Sequence, residues 1–437
     1  MQKLHKLISK NSINLFSKSS LIHIVGIVTG FLVGVVLARS LGVSGYGLYG
    51  SCVAIASLAA TISAGGIQLH ATREIAFKLA RNNFFSVSGI IIWSIKNSLL
   101  LASISAFAIT LYMSFFLEKD ITVVMSTVLL TLSMSLLWIF AAIIRGSGSV
   151  YFGQSLDAAV RPTLQVLLIS CYVILFNGTD VGIALFLSAL AVILSIILGI
   201  RNVRKLLIPK NELSHVNNEK KVWRKDSITM GLSTIFRSAE SNLPLILIGI
   251  MATMEEAGLF RISTAVMLIP SLSINIITIV VPAMIASMFA KNQLNDLRKF
   301  SSSCSLIMFI STFFFVLILF IFGEFLLSFI FGKPFAAASN TVNILSLSVL
   351  IWSIQGISTS ILHGAKVNIE VTKAMGVSLM SIIIFIFILS ISVEVISSEA
   401  MALAVLLATL IRTIMLIHAT KKIIGIDPSI LSFMFKK

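Results

Sequence analysis

Long apolar stretches, separated by short polar links, run through almost the whole chain. A membrane-spanning helix needs about 20 mainly apolar residues, and about twelve stretches are of that length. We predict spans at 20–38, 47–69, 89–116, 121–144, 155–176, 181–200, 227–250, 257–288, 303–322, 337–362, 374–392 and 400–418. Only one link, 201–226, is long, and it is polar and basic. The pattern predicts an all-α polytopic membrane protein with about twelve transmembrane helices.

Composition agrees with a membrane protein. The chain is 57% hydrophobic and 11% charged, and its mean hydropathy is +1.03. Soluble domains carry about 25% charged residues, so this composition excludes an ordinary soluble domain and a disordered chain. The net charge of +16 could indicate a nucleic-acid partner. The distribution of that charge gives a better explanation.

The basic residues fall on alternate links. If the N-terminus is cytoplasmic, the inside segments hold 25 of the 33 basic residues, the outside links hold three, and five lie within spans. Such an asymmetry is the positive-inside pattern of membrane proteins. It predicts that both termini are cytoplasmic in a bacterial inner membrane, and we expect no nucleic-acid partner.

A weak internal repeat divides the chain into two halves. The matching segments are 46–55 with 257–266, 80–82 with 290–292, and 143–148 with 361–366. Each match falls at the same step of a six-span unit, so both halves enter the membrane from the same side. Such parallel repeats are related by an axis along the membrane normal. They predict two facing bundles with a central cleft that opens to either side by rocking.

These patterns predict five segments. They are an amphipathic cytoplasmic lead-in at 1–19, a six-helix bundle at 20–200, a basic cytoplasmic linker at 201–226, a second six-helix bundle at 227–418, and a basic cytoplasmic tail at 419–437.

Five basic residues lie inside predicted spans, where each costs about 2.5–3.5 kcal/mol on insertion scales. They are Lys96, Arg161, Arg237, Arg261 and Arg412. Lys96 and Arg237 should lie near mid-depth, too deep for their charges to reach water easily. Glu240 shares a helix face with Arg237. This pair could neutralise itself between helices, or Arg237 could bind an anionic substrate while Glu240 responds to protons or sodium.

The other membrane charges are less distinctive. Arg261 and Arg39 lie near outer span ends, where a long side chain reaches the interface. Asp157 and Arg161 have the spacing of a local ion pair. Bases outnumber acids in the spans, and a cationic cavity suits an anionic substrate such as a diphosphate. A cation exporter would be expected to present carboxylates instead.

Enzyme signatures are absent from the sequence. The chain has no HExxH, no GxSxG, no P-loop and no dinucleotide fingerprint. Its cysteines, Cys52, Cys171 and Cys304, lack the spacing of metal ligands. We therefore expect a transporter that is not an enzyme, with no cofactor and no metal, driven by an ion gradient or by the gradient of its substrate.

The glycines near the first link have a structural interpretation. Gly42, Gly45 and Gly47 would allow a tight return between the first two spans. Tyr46 and Tyr49 would then lie at the outer interface, where aromatic rings are favoured.

Several motifs together resemble one family. They are LARSLGVSGYGLYG at 37–50, GIQLHATREIA at 66–76, IIRGSG at 143–148, EEAGLFRIS at 255–263 and FGKPFAAAS at 331–339. The chain resembles the O-antigen and capsule flippases (Wzx-type) of the multidrug/oligosaccharidyl-lipid/polysaccharide (MOP) superfamily. The resemblance implies a V-shaped pair of six-helix bundles around a cationic cavity.

The resemblance also implies a function. Such flippases export an undecaprenyl-diphosphate-linked oligosaccharide, the repeat unit of lipopolysaccharide O-antigen or capsule, from the inner to the outer leaflet. The substrate-binding role would fall to Lys96, Arg237, Arg261 and Arg39, and Glu240 is the candidate for ion coupling. Expected partners are this substrate, membrane lipids, and the glycan polymerase or ligase machinery.

Three alternatives stay open. They are a cation-coupled multidrug exporter, a lipid II flippase, and a membrane-embedded glycan polymerase or ligase. The last is disfavoured because such enzymes tend to carry a large outer loop, whereas the longest outer link here, 323–336, is short.

Overall fold

The described chain is built from helices. A computed structural model of the protein describes residues 10–116, 120–207, 219–291, 293–392 and 396–429. All regular elements within these residues are helical, which confirms the all-α class. The predicted lead-in, linker and tail each fall partly outside the described residues.

Seven α-helices lie between residues 10 and 251. They are Lys10–Ala80 (α1), Phe84–Phe116 (α2), Ile121–Gly146 (α3), Val150–Ser155 (α4), Arg161–Phe176 (α5), Val181–Arg204 (α6) and Glu219–Met251 (α7). A π-helical turn, Leu156–Val160, joins α4 to α5.

Seven more follow. They are Met254–Val266 (α8), Leu272–Ala290 (α9), Leu294–Phe331 (α10), Ser339–Ile354 (α11), Ser358–Gly364 (α12), Asn368–Ser392 (α13) and Ser398–Ile424 (α14). A 3-10 turn, Lys333–Ala338, leads into α11.

Nine stretches of the described helices are long and apolar enough to cross a membrane. One of them, Ser19–Ala80, is 62 residues long and contains the first two predicted spans. Two other predicted spans are not among the nine. One is α7, which carries charged and hydroxyl side chains, and the other is interrupted at 267–271, between α8 and α9.

The break between the first two spans falls on a single residue, Gly42. Its backbone angles are φ 69° and ψ −176°, whereas the rest of α1 is helical. This region of backbone space is essentially restricted to glycine. One of the glycines predicted to permit a return between these spans is therefore the residue at which the helix breaks.

The chain divides into two compact units. The first comprises Met1–Leu41 and Ser51–Ser238, and the second comprises Gly42–Gly50 and Ala239–Lys437. The division falls inside α7 and assigns the short segment around the first break to the second unit. The predicted pair of six-helix bundles stays a prediction.

Within the first unit, α3 and α6 pack along faces rich in small residues, which let helix backbones approach closely. Several of their buried hydroxyls bond to their own helix, whereas Ser135 contacts Ser98 of α2 at 2.7 Å. Thr127 donates to the carbonyl of Val123 at 2.7 Å, and Ser195 donates to that of Ala191 at 2.9 Å. These hydroxyls thus find their partners within the packed helices.

Within the second unit, the first match of the internal repeat forms a reciprocal contact. Gly47 and Gly258 are equivalent in that match, as are Val43 and Met254 at the same offset. A Cβ on Gly47 would lie 2.1 Å from the Met254 carbonyl oxygen, and a Cβ on Gly258 would lie 2.0 Å from that of Val43. Such reciprocity is what a local two-fold axis between two like segments produces.

The two tyrosines of this segment are buried. Tyr46 is 1% exposed and Tyr49 is 2% exposed. The Tyr46 ring meets Phe335 edge-on, with ring centroids 6.3 Å apart. Both rings are enclosed by protein because the segment packs against α8 and the 3-10 turn, and their predicted place at the outer interface stays a prediction.

Candidate functional site

A basic pocket of about 500 Å³ opens in the first unit between α2 and the first turns of α7. The polar and aromatic residues that line it are Trp93, Lys96, Asn97, Lys220, Lys221 and Arg224. Among the described residues, the lining holds four basic side chains and no acidic one. Its volume is within the usual range for small-ligand sites.

A close crossing of α1 and α7 positions the basic turn of α7. A Cβ on Gly66 would lie 2.0 Å from the carbonyl oxygen of Ser227 and 2.9 Å from the Cα of Gly231. Only a residue without a side chain permits this approach. Near the same crossing, Arg73 pairs with Asp226 at 3.2 Å. Glycine packing and one exposed ion pair thus hold the start of α7.

Two tryptophans join α7 to α2 beneath the pocket. Trp223 is buried, and its ring meets Trp93 edge-on with centroids 5.7 Å apart. His70 also packs edge-on against Trp93, with ring centroids 6.2 Å apart. Edge-to-face pairs of this kind contribute about 0.5–1.5 kcal/mol beyond the burial of their area. The cluster fixes the Lys96 turn of α2 next to the basic turn of α7.

Lys96 is therefore close to residues that the charge pattern predicts to be cytoplasmic. It is exposed, and it shares the pocket with Lys220, Lys221 and Arg224 from the end of the linker. The expected mid-depth position of Lys96 stays a prediction.

Arg237 and Arg39 belong to the same unit but do not line this pocket in the described structure. Both side chains are exposed. The structure therefore brings Lys96 together with linker residues and not with the other predicted cations of its unit.

Glu240 pairs with Arg412 on another helix and not with Arg237 on its own helix face. Its carboxylate accepts hydrogen bonds from Arg412 on α14 and from Ser378 on α13, the latter at 2.7 Å. The ion pair is well buried, since the Arg412 and Glu240 side chains are 16% and 10% exposed. An ion-coupling role for Glu240 stays a prediction. A cation that bound this carboxylate would compete directly with the arginine.

Arg261 lies in the second unit and packs against the segment around the first break. Its guanidinium lies near Tyr46, and its aliphatic part fills the space beside Gly50. Its Nε atom is buried and has no hydrogen-bond partner among the described residues. The arginine therefore packs within the unit, and its substrate role stays a prediction.

The predicted local ion pair near the fifth span is confirmed. Arg161 Nε lies 3.1 Å from Asp157 Oδ1, and the pair spans the π-helical turn. Close packing holds this turn, because a Cβ on Gly26 would lie 1.7 Å from the carbonyl oxygen of Ala158.

Sequence reasoning missed Lys220, Lys221 and Arg224 as site residues. It counted them as topological charges of the linker, because nothing local distinguishes them from the other basic residues there. The signal that could have found them was Trp223, an aromatic residue inside a basic run.

The family comparison supports the resemblance found in the sequence. A family model described as polysaccharide biosynthesis protein matches residues 15–289. No curated protein sequence matches the chain at a significant level.

Solved structures show the same fold at low sequence identity. The lipid II flippase MurJ, in an inward closed conformation, aligns with a TM-score of 0.70 and 15% identity, covering 93% of this chain and 87% of that one. An inward-facing multidrug resistance MATE transporter of the MOP superfamily aligns with a TM-score of 0.67 and 12% identity, covering 93% and 94%.

A third structure is a MOP superfamily transporter from Pyrococcus furiosus, described as having a binding pocket of reversed polarity. It aligns with a TM-score of 0.65 and 12% identity, covering 96% of this chain and 98% of that one. These likenesses confirm the predicted MOP-type fold of a multi-pass membrane protein.

Proposed function

The chain belongs to the polysaccharide biosynthesis protein family, and we propose that it is a flippase for a lipid-linked oligosaccharide. Its substrate is an undecaprenyl-diphosphate-linked repeat unit of O-antigen or capsule. The protein moves this substrate from the cytoplasmic to the outer leaflet of the inner membrane by alternating access. Glycan polymerase or ligase machinery then uses the exported unit.

One observation carries this proposal, the basic pocket of the first unit. The described lining contains four basic side chains and no acidic one. A diphosphate offers several anionic oxygens to such donors, and charge-assisted hydrogen bonds are about twice as strong as neutral ones. Lys96 lies on a membrane helix, where an unneutralised charge is costly and a bound anion offsets that cost.

A lipid II flippase is the second candidate. The likeness to MurJ favours it, and a lipid-linked diphosphate suits the same pocket. A multidrug exporter for cations fits less well, since a cation would be repelled by Lys96 and the basic turn of α7.

Complementation separates these candidates. In a strain that lacks its O-antigen or capsule flippase, we expect the protein to restore surface glycan. In a strain depleted of its lipid II flippase, we expect no rescue of peptidoglycan synthesis. Rescue of peptidoglycan alone would replace the first candidate by the second. Drug resistance with neither rescue would support an exporter.

The pocket itself is tested by Lys96→Gln. We expect at least about a tenfold loss of export at an unchanged protein level, because one charge-assisted contact of about 1.4 kcal/mol corresponds to that factor. Arg204→Gln is the matched control, since Arg204 is also exposed and basic but lies outside the pocket. Equal export by both variants would remove Lys96 from the site.

A further inference from the structure

One face of α2 continues from the pocket as an exposed apolar row. Leu100, Ile104, Phe107 and Leu111 are 54%, 59%, 66% and 43% exposed. Their spacing of four, three and four residues places them on a single helix face. Lys96 lies one turn before Leu100, on the same face. At 1.5 Å per residue, the row from Lys96 to Leu111 is about 22 Å long.

We call residues 100, 104, 107 and 111 the α2 row. Leu100 belongs both to this row and to the pocket lining. The basic pocket and the α2 row are therefore one continuous surface of the first unit. On a membrane-spanning helix, an exposed apolar row contacts hydrocarbon, so the pocket is reached from the lipid phase.

We propose that this surface is the loading site for the polyprenyl carrier. The diphosphate binds in the pocket between Lys96 and the basic turn formed by Lys220, Lys221 and Arg224. The polyprenyl chain stays in the bilayer and lies along the α2 row. This inference rests on the proposed function and adds the place at which the substrate is first captured.

The charge of the pocket favours a diphosphate over an ordinary phospholipid. Phosphatidylglycerol presents a single phosphate with one negative charge, fewer than the four basic groups of the pocket lining. A diphosphate carries more charge and more acceptor oxygens, and planar arginine and mobile lysine donors suit both of its phosphates.

Photocrosslinking tests this site in the full-length protein. A photoreactive p-benzoylphenylalanine replaces Phe107, in the α2 row, or Leu167, on α5. The two positions are matched, because their side chains are 66% and 61% exposed. The protein is placed in phosphatidylethanolamine vesicles that contain radiolabelled undecaprenyl diphosphate. Label covalently attached to the protein is then counted.

We expect about tenfold more label at Phe107 than at Leu167. Replacement of Lys220, Lys221 and Arg224 by Gln should reduce the label at Phe107 by at least about tenfold, the factor that 1.4 kcal/mol of lost contact gives. The matched control replaces Arg201, Arg204 and Lys205, the exposed basic residues at the other end of the linker. It should leave the label unchanged.

Three results would overturn the inference. They are equal label at the two positions, full label in the α7 triple variant, and loss of label when phosphatidylglycerol is added in excess. The last would mean a general site for anionic lipid. If the triple variant does not reach the membrane, Lys96→Gln replaces it with the same expected loss of label.

The inference and the proposed function fail in different ways. If complementation succeeds and the α2 row captures no carrier, the flippase stands and its loading site lies elsewhere. If the α2 row captures the carrier and no glycan reaches the surface, the protein binds the carrier without exporting it.

Discussion

The ion pair between Glu240 and Arg412 offers a direct test of how the second unit is held together. It joins α7 to α14 across 172 residues of sequence, and Ser378 adds a contact from α13. We consider Arg412→Met, Glu240→Leu and the double variant. Methionine and leucine keep much of the side-chain volume and remove the charge.

The expected magnitudes follow from burial. Removal of one partner of a buried pair leaves an uncompensated charge and costs about 3–5 kcal/mol, whereas replacement of both by apolar residues is often neutral or stabilising. Each single variant should therefore lower the thermal midpoint by roughly 6–20 °C, since 1 kcal/mol corresponds to about 2–4 °C in a unit of this size. The double variant should lie close to the unaltered protein.

Thermal unfolding of the purified protein in detergent, monitored by loss of the monodisperse species, measures these midpoints. Lys373→Met is the control, because Lys373 pairs with Glu370 at 2.9 Å with its side chain 58% exposed. Exposed pairs contribute about 0.2–1 kcal/mol. The reasoning is refuted if Arg412→Met is as mild as the control, or if the double variant is as unstable as the single ones.

Three further substitutions test the packing. Gly42→Ala should destabilise the protein by about 1–3 kcal/mol in the same assay, because alanine is strained at φ 69°. Gly30→Ala is the control and should not destabilise the protein, because a Cβ at this helical position meets open space. Gly47→Ala should lower the thermal midpoint more than Gly323→Ala. A Cβ on Gly47 would lie 2.1 Å from a carbonyl oxygen, whereas a Cβ on Gly323 would lie 3.7 Å from a hydroxyl oxygen. Overpacking of this kind costs about 1–3 kcal/mol. Arg73→Ala should lower the free energy of unfolding by less than about 1 kcal/mol, because its ion pair is exposed.

The membrane class and most spans could be predicted because hydropathy is a local property. A span is recognised from its own residues, whatever it packs against. Helix starts could not be placed in the same way. The helix α2 begins five residues and α7 eight residues before its predicted span, and hydropathy does not separate such turns from a loop.

The partners of charged residues were harder to predict from the sequence. Local spacing paired Glu240 with Arg237, three residues earlier, because a sequence shows only neighbours on one helix. The structure gives Glu240 a partner on α14 instead. In the same way, Lys96 was recognised as a charge inside an apolar run, whereas the basic residues around it come from a different helix. Pairings between helices depend on packing that no single segment encodes.

The motif residues that resemble the flippase family act mainly on the backbone. Gly66 sets the distance between α1 and α7, and Arg73 of the same motif pairs with α7. Neither lines the basic pocket. They hold the start of α7, and that start carries Lys220 and Arg224. A side chain at Gly66 would displace the α7 backbone by more than an ångström, because its Cβ would lie 2.0 Å from a carbonyl oxygen. The motif residues and the pocket residues are thus different, and α7 connects them. Gly66→Ala should therefore impair carrier capture without removing any group that touches the diphosphate.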